Sequence, residues 1–234
     1  MGQSEIAYIE VGGRGIAYRL RRGEAPTILF LPGYGSDMEG AKATALDAFA
    51  EERGQAMLRL DYSGTGSSNG RFEEGTLDAW VEEALAALDK LTAGPVILVG
   101  SSMGGWIALH LAQLRPDRAM ALVGIAAAPD FTDWGFTAEQ AAQLTDQGRM
   151  TRRFWESGQR LLLGIQIAVD CPVRLLHGER DEEVPLDIAF RTMRALRSAD
   201  VQLNVLKGGG HRLSEPHELD AILRTVAPFL EPVS

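Results

Sequence analysis

Residues 95–105 read Pro-Val-Ile-Leu-Val-Gly-Ser-Ser-Met-Gly-Gly, and this stretch decides the fold. The apolar run at 95–99 does not alternate, which predicts a short strand buried on both faces. Residues 103–114 have the pattern of a helix. Between them lies Gly-x-Ser-x-Gly, a pattern typical of a serine on a sharp strand-to-helix turn, where small residues two places away let the turn close. Ser102 is therefore a candidate nucleophile.

The same pattern occurs at 66–70, but there it follows a turn-like segment and ends in the turn-favouring pair Asn69-Gly70. We expect that copy to be a loop.

The strand–helix unit of residues 95–114 recurs along the chain. Buried strands that alternate with helices predict a parallel sheet covered by helices on both faces. An alternating hairpin at 5–11 and 16–21 opens the chain, so we expect about eight strands, most of them parallel. Further strands are expected at 27–31, 56–60, 121–126, 173–176 and 201–206, and further helices at 38–53, 76–91, 186–197 and 216–230.

An irregular, helical and amphipathic insert at 132–170 interrupts this alternation between the sixth and seventh strands. It is shorter than the ~50 residues of a small independent domain. We therefore interpret the chain as a single domain, 1–234, with 132–170 as a short helical lid over the carboxyl ends of the strands, where open α/β sheets bind ligands. Four of its aromatic residues are candidates for a substrate pocket, although core packing is expected for at least half of them: Trp134, Phe136, Phe154 and Trp155.

A serine nucleophile needs a base at neutral pH, and the chain has four histidines. His110 lies inside the helix that follows Ser102 and cannot reach over that helix's own N-terminus. His177, at a strand end, is expected to support the site by hydrogen bonding, and His217, in the first turn of a helix, to be solvated. His211 follows the last strand and a glycine-rich loop, which can carry an imidazole back to Ser102. His211 is therefore the favoured base.

The loop at 177–185 follows the penultimate strand and is rich in acidic residues. Such a loop can supply the carboxylate that orients the base, with Asp181, Glu179 and Glu182 as candidates; the alternative is a solvated acidic loop. An oxyanion also needs amide donors. The amide of Met103, directly after the nucleophile, and that of Tyr34, in the loop after the third strand, are the expected pair.

Four segments together resemble the α/β-hydrolase superfamily, and more narrowly a group of depalmitoylases and acyl-glucuronide esterases with bacterial members. They are LPGYGSDMEGAKA, LDYSGTGSSNG, ILVGSSMGGW and CPVRLLHGERDEEVP. The resemblance implies an α/β-hydrolase fold and a serine hydrolase of acyl esters or thioesters. It also implies a Ser102–His211–Asp181 triad, an acyl-enzyme intermediate, and no metal or cofactor. The alternatives are a short-chain carboxylesterase, a hydrolase of another bond on the same triad, and a ligand-binding protein that has lost catalysis.

The composition of the chain limits the kinds of molecule that it is expected to bind. The chain carries 23 basic and 32 acidic residues, a formal net charge of −9, which disfavours nucleic acid and anionic membranes as partners. No apolar stretch predicts stable membrane insertion. We expect a small-molecule or protein-linked acyl substrate and a monomer or weak dimer.

The single cysteine, Cys171, favours a reducing compartment. With no recognisable targeting segment, this gives an expected cytoplasmic location.

The lid also contains a local cluster of basic residues in an otherwise acidic protein. Arginine forks match carboxylates, so an anionic substrate such as an acyl glucuronide is one hypothesis for the cluster, with Arg152 as the expected contact. A solvated helix face is the favoured alternative. The cluster consists of Arg149, Arg152, Arg153 and Arg160.

Overall fold

The computed structural model describes residues 4–148 and 150–231. Within them, eight strands form one sheet in the order β1-β2-β4-β3-β5-β6-β7-β8. The pairs β1–β2 and β2–β4 are antiparallel, and all the others are parallel. The strands are β1 (Ile6–Val11), β2 (Arg14–Arg21), β3 (Glu24–Leu31), β4 (Gln55–Leu60), β5 (Val96–Ser101), β6 (Ala119–Ile125), β7 (Val173–Gly178) and β8 (Val201–Leu206).

The described residues form eight α-helices, of which α1 to α7 lie between strands and α8 follows β8; short 3-10 helices lie at Phe72–Glu74 and Ala227–Leu230. The predicted mostly parallel sheet of about eight strands is confirmed. The helices are α1 (Ala41–Glu52), α2 (Leu77–Leu91), α3 (Met103–Leu114), α4 (Phe131–Trp134), α5 (Ala138–Ala142), α6 (Arg152–Arg160), α7 (Leu186–Ala195) and α8 (Pro216–Val226).

Strand β3 shows why the central strands read as unalternated apolar runs. Leu29 and Leu31 point into a core shared with α2 and α3, whereas Ile28 and Phe30 point into a second core shared with α1 and α8. All four side chains are buried. Both faces of the sheet are covered, so both sets of alternate residues must be apolar.

Helices α4, α5 and α6 lie between β6 and β7, inside the segment predicted as a lid. Helix α6 packs on both α2 and α4. That residues 132–170 act as a lid on a single domain stays a prediction. Residues 1–3, 149 and 232–234 of the predicted domain lie outside the described residues, and Arg149 of the basic cluster is among them.

Candidate active site

Ser102 lies on the turn between β5 and α3, with φ 52° and ψ −119°. A positive φ is unfavourable for a residue with a Cβ, so the surrounding contacts must hold this turn. The Ser102 amide donates to the Ile125 carbonyl over 2.9 Å, and the Ser102 carbonyl accepts from the Gly105 and Ala128 amides. The turn is thereby fixed to the carboxyl end of the neighbouring strand, β6. This is the strand, turn and helix predicted from residues 95–114.

Close backbone contacts explain the small residues around Ser102. A Cβ added at Gly100 would lie 2.2 Å from the Gly104 carbonyl oxygen, and one at Gly104 would lie 2.0 Å from the Leu31 carbonyl oxygen. Both distances are well inside van der Waals contact. The loop after β3 also comes close, because a Cβ on Gly33 would lie 3.3 Å from the Cβ of Ser102. The second Gly-x-Ser-x-Gly copy forms turns and bends, as expected.

His211 lies between Ser102 and Asp181. Its Nε2 is 3.1 Å from the Ser102 Oγ, and its Nδ1 is 2.9 Å from the Asp181 Oδ2. With the Nδ1 proton donated to the carboxylate, Nε2 can accept the proton of the serine hydroxyl. The structure therefore brings together three residues that are 79 and 30 positions apart in sequence into one hydrogen-bonded chain.

Asp181 is fixed within its loop by backbone donors. Its Oδ1 accepts from the amides of Glu183 and Val184 over 3.0 and 2.8 Å. Burial acts to raise the pKa of Asp181, but the hydrogen bonds from His211 and these amides outweigh burial, and the pKa lies below its usual value. The carboxylate is therefore ionised at neutral pH. Glu179, one of the alternatives, instead accepts from the Gly208 amide.

Of the other histidines, His177 has the supporting position and His217 the solvated position expected of them. His177 is buried, donates from Nε2 to the Val184 carbonyl over 2.8 Å, and lies 3.4 Å from the Asp181 carboxylate. It braces the acidic loop. His110 donates to the Leu161 carbonyl over 3.0 Å, and burial lowers its pKa. His217 is exposed on α8.

The two expected oxyanion donors belong to segments that both come close to Ser102. Met103 is the first residue of α3, so its amide is at a helix N-terminus, where amides point outward. Tyr34 lies in the loop after β3, beside Gly33. Asp61 holds the far side of this loop by accepting from the Met38 amide over 2.7 Å.

A groove of about 800 Å³ opens above this hydrogen-bonded chain. Ser102 and His211 line it together with the loop after β3, the start of α1, α4 and the acidic loop. The lining combines apolar residues of the lid with polar residues of the loop after β3. The lining includes Tyr34, Phe131, Trp134, Phe136, Met150 and Val184.

A model of the alpha/beta hydrolase fold matches residues 26–160 of the chain. The human protein named palmitoyl-protein thioesterase ABHD10, mitochondrial, is 35% identical over 94% of this chain and 78% of its own length. The chain belongs to the α/β-hydrolase family. It is therefore a hydrolase.

Two solved structures show how closely this α/β hydrolase follows its relatives. Alpha/beta hydrolase domain-containing protein 10 from mouse is 34% identical, with a TM-score of 0.92 over 99% of this chain and all of that chain. Est1E from Butyrivibrio proteoclasticus, in a structure with ferulic acid bound, has a TM-score of 0.81 over 96% of this chain and 97% of its own. At 22% identity, that second likeness shows the fold alone.

The prediction of a cytoplasmic location is wrong by this comparison. The human, mouse and Pongo abelii relatives, at 35–36% identity, are all named as mitochondrial proteins. The prediction failed because a single cysteine separates reducing from oxidising compartments and does not distinguish one reducing compartment from another.

The lid residues of this α/β hydrolase divide into two pairs. Trp134 and Phe136 line the groove, as expected. Phe154 does not line it: it is 1% exposed and packs in an aromatic cluster with Tyr34, 4.7 Å between ring centroids, and Trp80, 5.2 Å. Trp155 does not line it either. Its Nε1 donates to the Thr132 carbonyl over 2.8 Å. Both side chains of this second pair attach α6 to the rest of the protein.

The structure also corrects the role expected of Arg152. Its guanidinium donates to the carbonyls of Leu144 and Ala142 over 2.9 and 3.0 Å, so it closes the end of α5 and does not line the groove. Arg153 pairs with Asp146, and Arg160 with Asp78, over 3.2 and 2.7 Å. The described arginines of the cluster thus pair within the protein.

Sequence reasoning missed the charged residues at the groove, among them Lys42 and Glu183. Lys42, on α1, lines it and donates to the Arg212 carbonyl, next to His211; burial lowers the pKa of Lys42. Glu183 also lines the groove, with Oε2 3.8 Å from the His211 Nε2. The position of Glu183 two residues after Asp181 was the available signal. Nothing local in the sequence pointed to Lys42, because α1 reaches His211 only through the fold.

The described residues contain neither a membrane-spanning helix nor a cluster of metal ligands. Between residues 4 and 231, leaving out 149, no helix is long and apolar enough to cross a membrane. Over the same residues, no group of three or more His, Cys, Asp or Glu side chains could hold a metal ion.

Proposed function

We propose that this α/β hydrolase cleaves acyl thioesters or acyl oxygen esters, with Ser102 as the nucleophile. The observation that carries the proposal is the chain from Ser102 through His211 to Asp181, set on a strained turn that faces a groove. A serine, a histidine and a carboxylate in this arrangement are suited to acyl transfer. The 35% identity to a palmitoyl-protein thioesterase supports the thioester as the substrate class.

In the first step, the Ser102 Oγ attacks the carbonyl carbon of the substrate while His211 Nε2 takes the hydroxyl proton. Asp181 holds the imidazole in the tautomer that leaves Nε2 free to accept, and its negative charge stabilises the imidazolium that forms. The low pKa of Asp181 keeps that charge in place at neutral pH.

The tetrahedral intermediate carries its negative charge on the former carbonyl oxygen. The Met103 amide, at the N-terminus of α3, and the Tyr34 amide, in the loop after β3, are the proposed donors to that oxygen. Preorganised donors of this kind contribute about 2.7–4 kcal/mol each to the transition state. Helix α3 adds the positive end of its dipole.

Collapse of the intermediate breaks the bond from carbon to sulfur, and the imidazolium returns its proton to the departing thiolate. The acyl group is then held on Ser102 as an ester. Water, deprotonated by His211, attacks that ester, and the carboxylic acid leaves as Ser102 recovers its proton. No step needs an oxidant, a metal or a second substrate besides water.

The apolar side of the groove fits an acyl substrate. Phe131, Trp134 and Phe136 present aromatic surface on the lid side of Ser102, and Met150 adds a flexible apolar side chain. We propose that residues 132–170 act as a lid and cover this surface on a single-domain hydrolase.

The test uses a fluorophosphonate, which labels an activated serine. We expect the wild-type chain to be labelled and Ser102→Ala to be unlabelled, with kcat for a thioester lowered by about 10⁴-fold or more. Ser68→Ala is the matched control, because Ser68 lies in the second Gly-x-Ser-x-Gly copy; it should still be labelled. A wild-type chain that takes no label would contradict the proposal. Activity on short oxygen esters without activity on thioesters would leave a carboxylesterase.

A further inference from the structure

A second pocket, of about 310 Å³, shares Trp134 with the groove. It is formed by α7, by the residues just before α4 and by the last part of the lid. Ile167, Ile188 and Ala195 give it an apolar lining. Trp134 lines both this pocket and the groove, so the indole is part of the wall between them.

The indole is held in the wall at its polar end and along its ring. Its Nε1 donates to the Pro129 carbonyl over 2.6 Å. The ring packs against Ala128, Val184 and Ile188. Val184 lines the groove and Ile188 lines the second pocket, so these neighbours continue the wall on either side.

The charged side chains that line the second pocket do not cover its apolar residues. Arg191 and Arg194 are exposed on α7. The Asp130 Oδ1 accepts from the Leu163 amide over 3.0 Å, so one oxygen of this carboxylate is already occupied. Burial of this carboxyl raises its pKa.

We propose that Trp134 sets the acyl-chain length that the enzyme accepts, by closing the groove against the second pocket. An acyl chain attached to Ser102 lies along the aromatic side of the groove and ends at the indole. Removing the indole joins the two spaces, and the methylenes at the end of a long chain then enter the pocket lined by Ile167, Ile188 and Ala195. This inference rests on the proposed function, because it requires an acyl group on Ser102.

The measurement is the ratio of kcat/KM for a palmitoyl thioester to kcat/KM for an octanoyl thioester of the same thiol. A single methylene in an apolar pocket changes kcat/KM by about tenfold or more. We therefore expect Trp134→Ala to raise the ratio at least about tenfold. Trp134→Leu, which keeps an apolar side chain of smaller size, should raise it less and covers the case in which the alanine variant does not fold.

Two controls separate the second pocket from a general widening of the groove. Phe136→Ala widens the groove alone, because Phe136 does not line the second pocket, and it should leave the ratio near that of the wild type. Adding Ala195→Phe to Trp134→Ala fills the second pocket and should return the ratio to the wild-type value.

The outcomes distinguish this inference from the proposed function. An unchanged ratio in folded, fluorophosphonate-reactive Trp134 variants overturns the inference and leaves the proposed function in place. An equal rise in Phe136→Ala, or no reversal by Ala195→Phe, also overturns it. A wild-type chain that neither reacts with fluorophosphonate nor cleaves either thioester overturns the proposed function, and the inference with it.

Discussion

The turn around Ser102 and the helices of the lid are held by different kinds of contact. At the turn, backbone contacts backbone: a Cβ on Gly100 or on Gly104 would fall on a carbonyl group. In the lid, side chains make the contacts between helices: a Cβ on Gly158 of α6 would lie 2.5 Å from the side chain of Thr132 on α4. Gly135 does come close to a backbone atom, the Phe131 carbonyl oxygen at 2.5 Å, but that contact lies within a single turn of chain. A backbone contact tolerates almost no substitution, whereas a side-chain contact can repack. The turn should therefore be much less tolerant of change than the lid.

The largest effect is expected from Gly104→Ala. The new Cβ would lie 2.0 Å from the Leu31 carbonyl oxygen, at the centre of the sheet, and neither backbone can move without breaking strand pairing. We expect a loss of about 4 kcal/mol or more in the free energy of unfolding, measured by urea denaturation, and an insoluble chain if the total stability is smaller than that.

Gly210→Ala is the control for Gly104→Ala, since nothing lies within 4 Å of its built Cβ. It should change the free energy of unfolding by less than about 1 kcal/mol. A Gly104→Ala chain as stable as Gly210→Ala would show that the turn can relax, and the contrast with the lid would no longer hold.

The next largest effect on stability and activity is expected where the lid meets the loop after β3, which carries Tyr34. Phe154 contacts the rings of Tyr34, Trp80 and Phe131 at centroid distances of 4.7, 5.2 and 6.0 Å. Phe154→Ala should lower the free energy of unfolding by about 3–5 kcal/mol. Because the Tyr34 ring loses a neighbour, the Tyr34 amide should be held less firmly, and kcat should fall more than KM rises.

Leu162→Ala is the matched control for Phe154→Ala, because Leu162 is an apolar residue of the same segment that is 39% exposed. It should change neither stability nor kcat by much. If Phe154→Ala lowers stability but leaves kcat unchanged, the packing of the lid does not affect the position of the Tyr34 amide, and this prediction is contradicted.

A smaller, pH-dependent effect is expected at the polar contact between α6 and α2. The Asp78 carboxylate accepts from Ser157 and Arg160 over 2.8 and 2.7 Å. Partial burial acts to raise the pKa of Asp78, but hydrogen bonds from Thr76, Arg160 and Ser157 outweigh burial and lower the pKa from 3.8 to about 2. A carboxyl whose pKa is lower in the folded than in the unfolded chain stabilises the fold above the unfolded value.

Asp78→Asn should therefore lower the free energy of unfolding at neutral pH, by about 0.5–1 kcal/mol because the pair is half exposed. The difference from the wild type should shrink as the pH falls from about 4 to about 2, since the wild-type carboxyl then also becomes neutral. Urea denaturation at a series of pH values measures it. Glu82→Gln, on an exposed side chain of the same helix, is the control and should lower the free energy of unfolding by less. A difference that stays constant with pH would remove the ion pair as its cause.

The sequence was most informative where local backbone geometry decides the structure. Helix α3 and strand β8 begin and end at the predicted residues, 103–114 and 201–206. Ser102 could be placed because its turn demands small residues at fixed spacing. His211 could be placed because it follows the last strand on a glycine-rich loop. These patterns depend on near neighbours in the chain.

Contacts between distant segments were harder to predict. Phe154 and Trp134 are both aromatic lid residues, and nothing in the composition of their neighbours indicates that one is buried against Tyr34 while the other faces the groove. That difference depends on how α6 packs on α2. The same holds for Arg160, whose carboxylate partner Asp78 is 82 residues away.

The smallest effect is expected from Arg152→Ala, and it tests the last functional role that the sequence suggested for the lid. The Arg152 guanidinium donates to two backbone carbonyls at the end of α5 and is exposed. Its loss should lower stability by no more than about 1 kcal/mol. It should change KM for an anionic acyl ester and for a neutral one by the same factor. Lys42→Met is the comparison, because Lys42 does line the groove. A selective rise in KM for the anionic ester in Arg152→Ala would show that Arg152 contacts the substrate. It would also show that side chains of the lid rearrange when substrate binds.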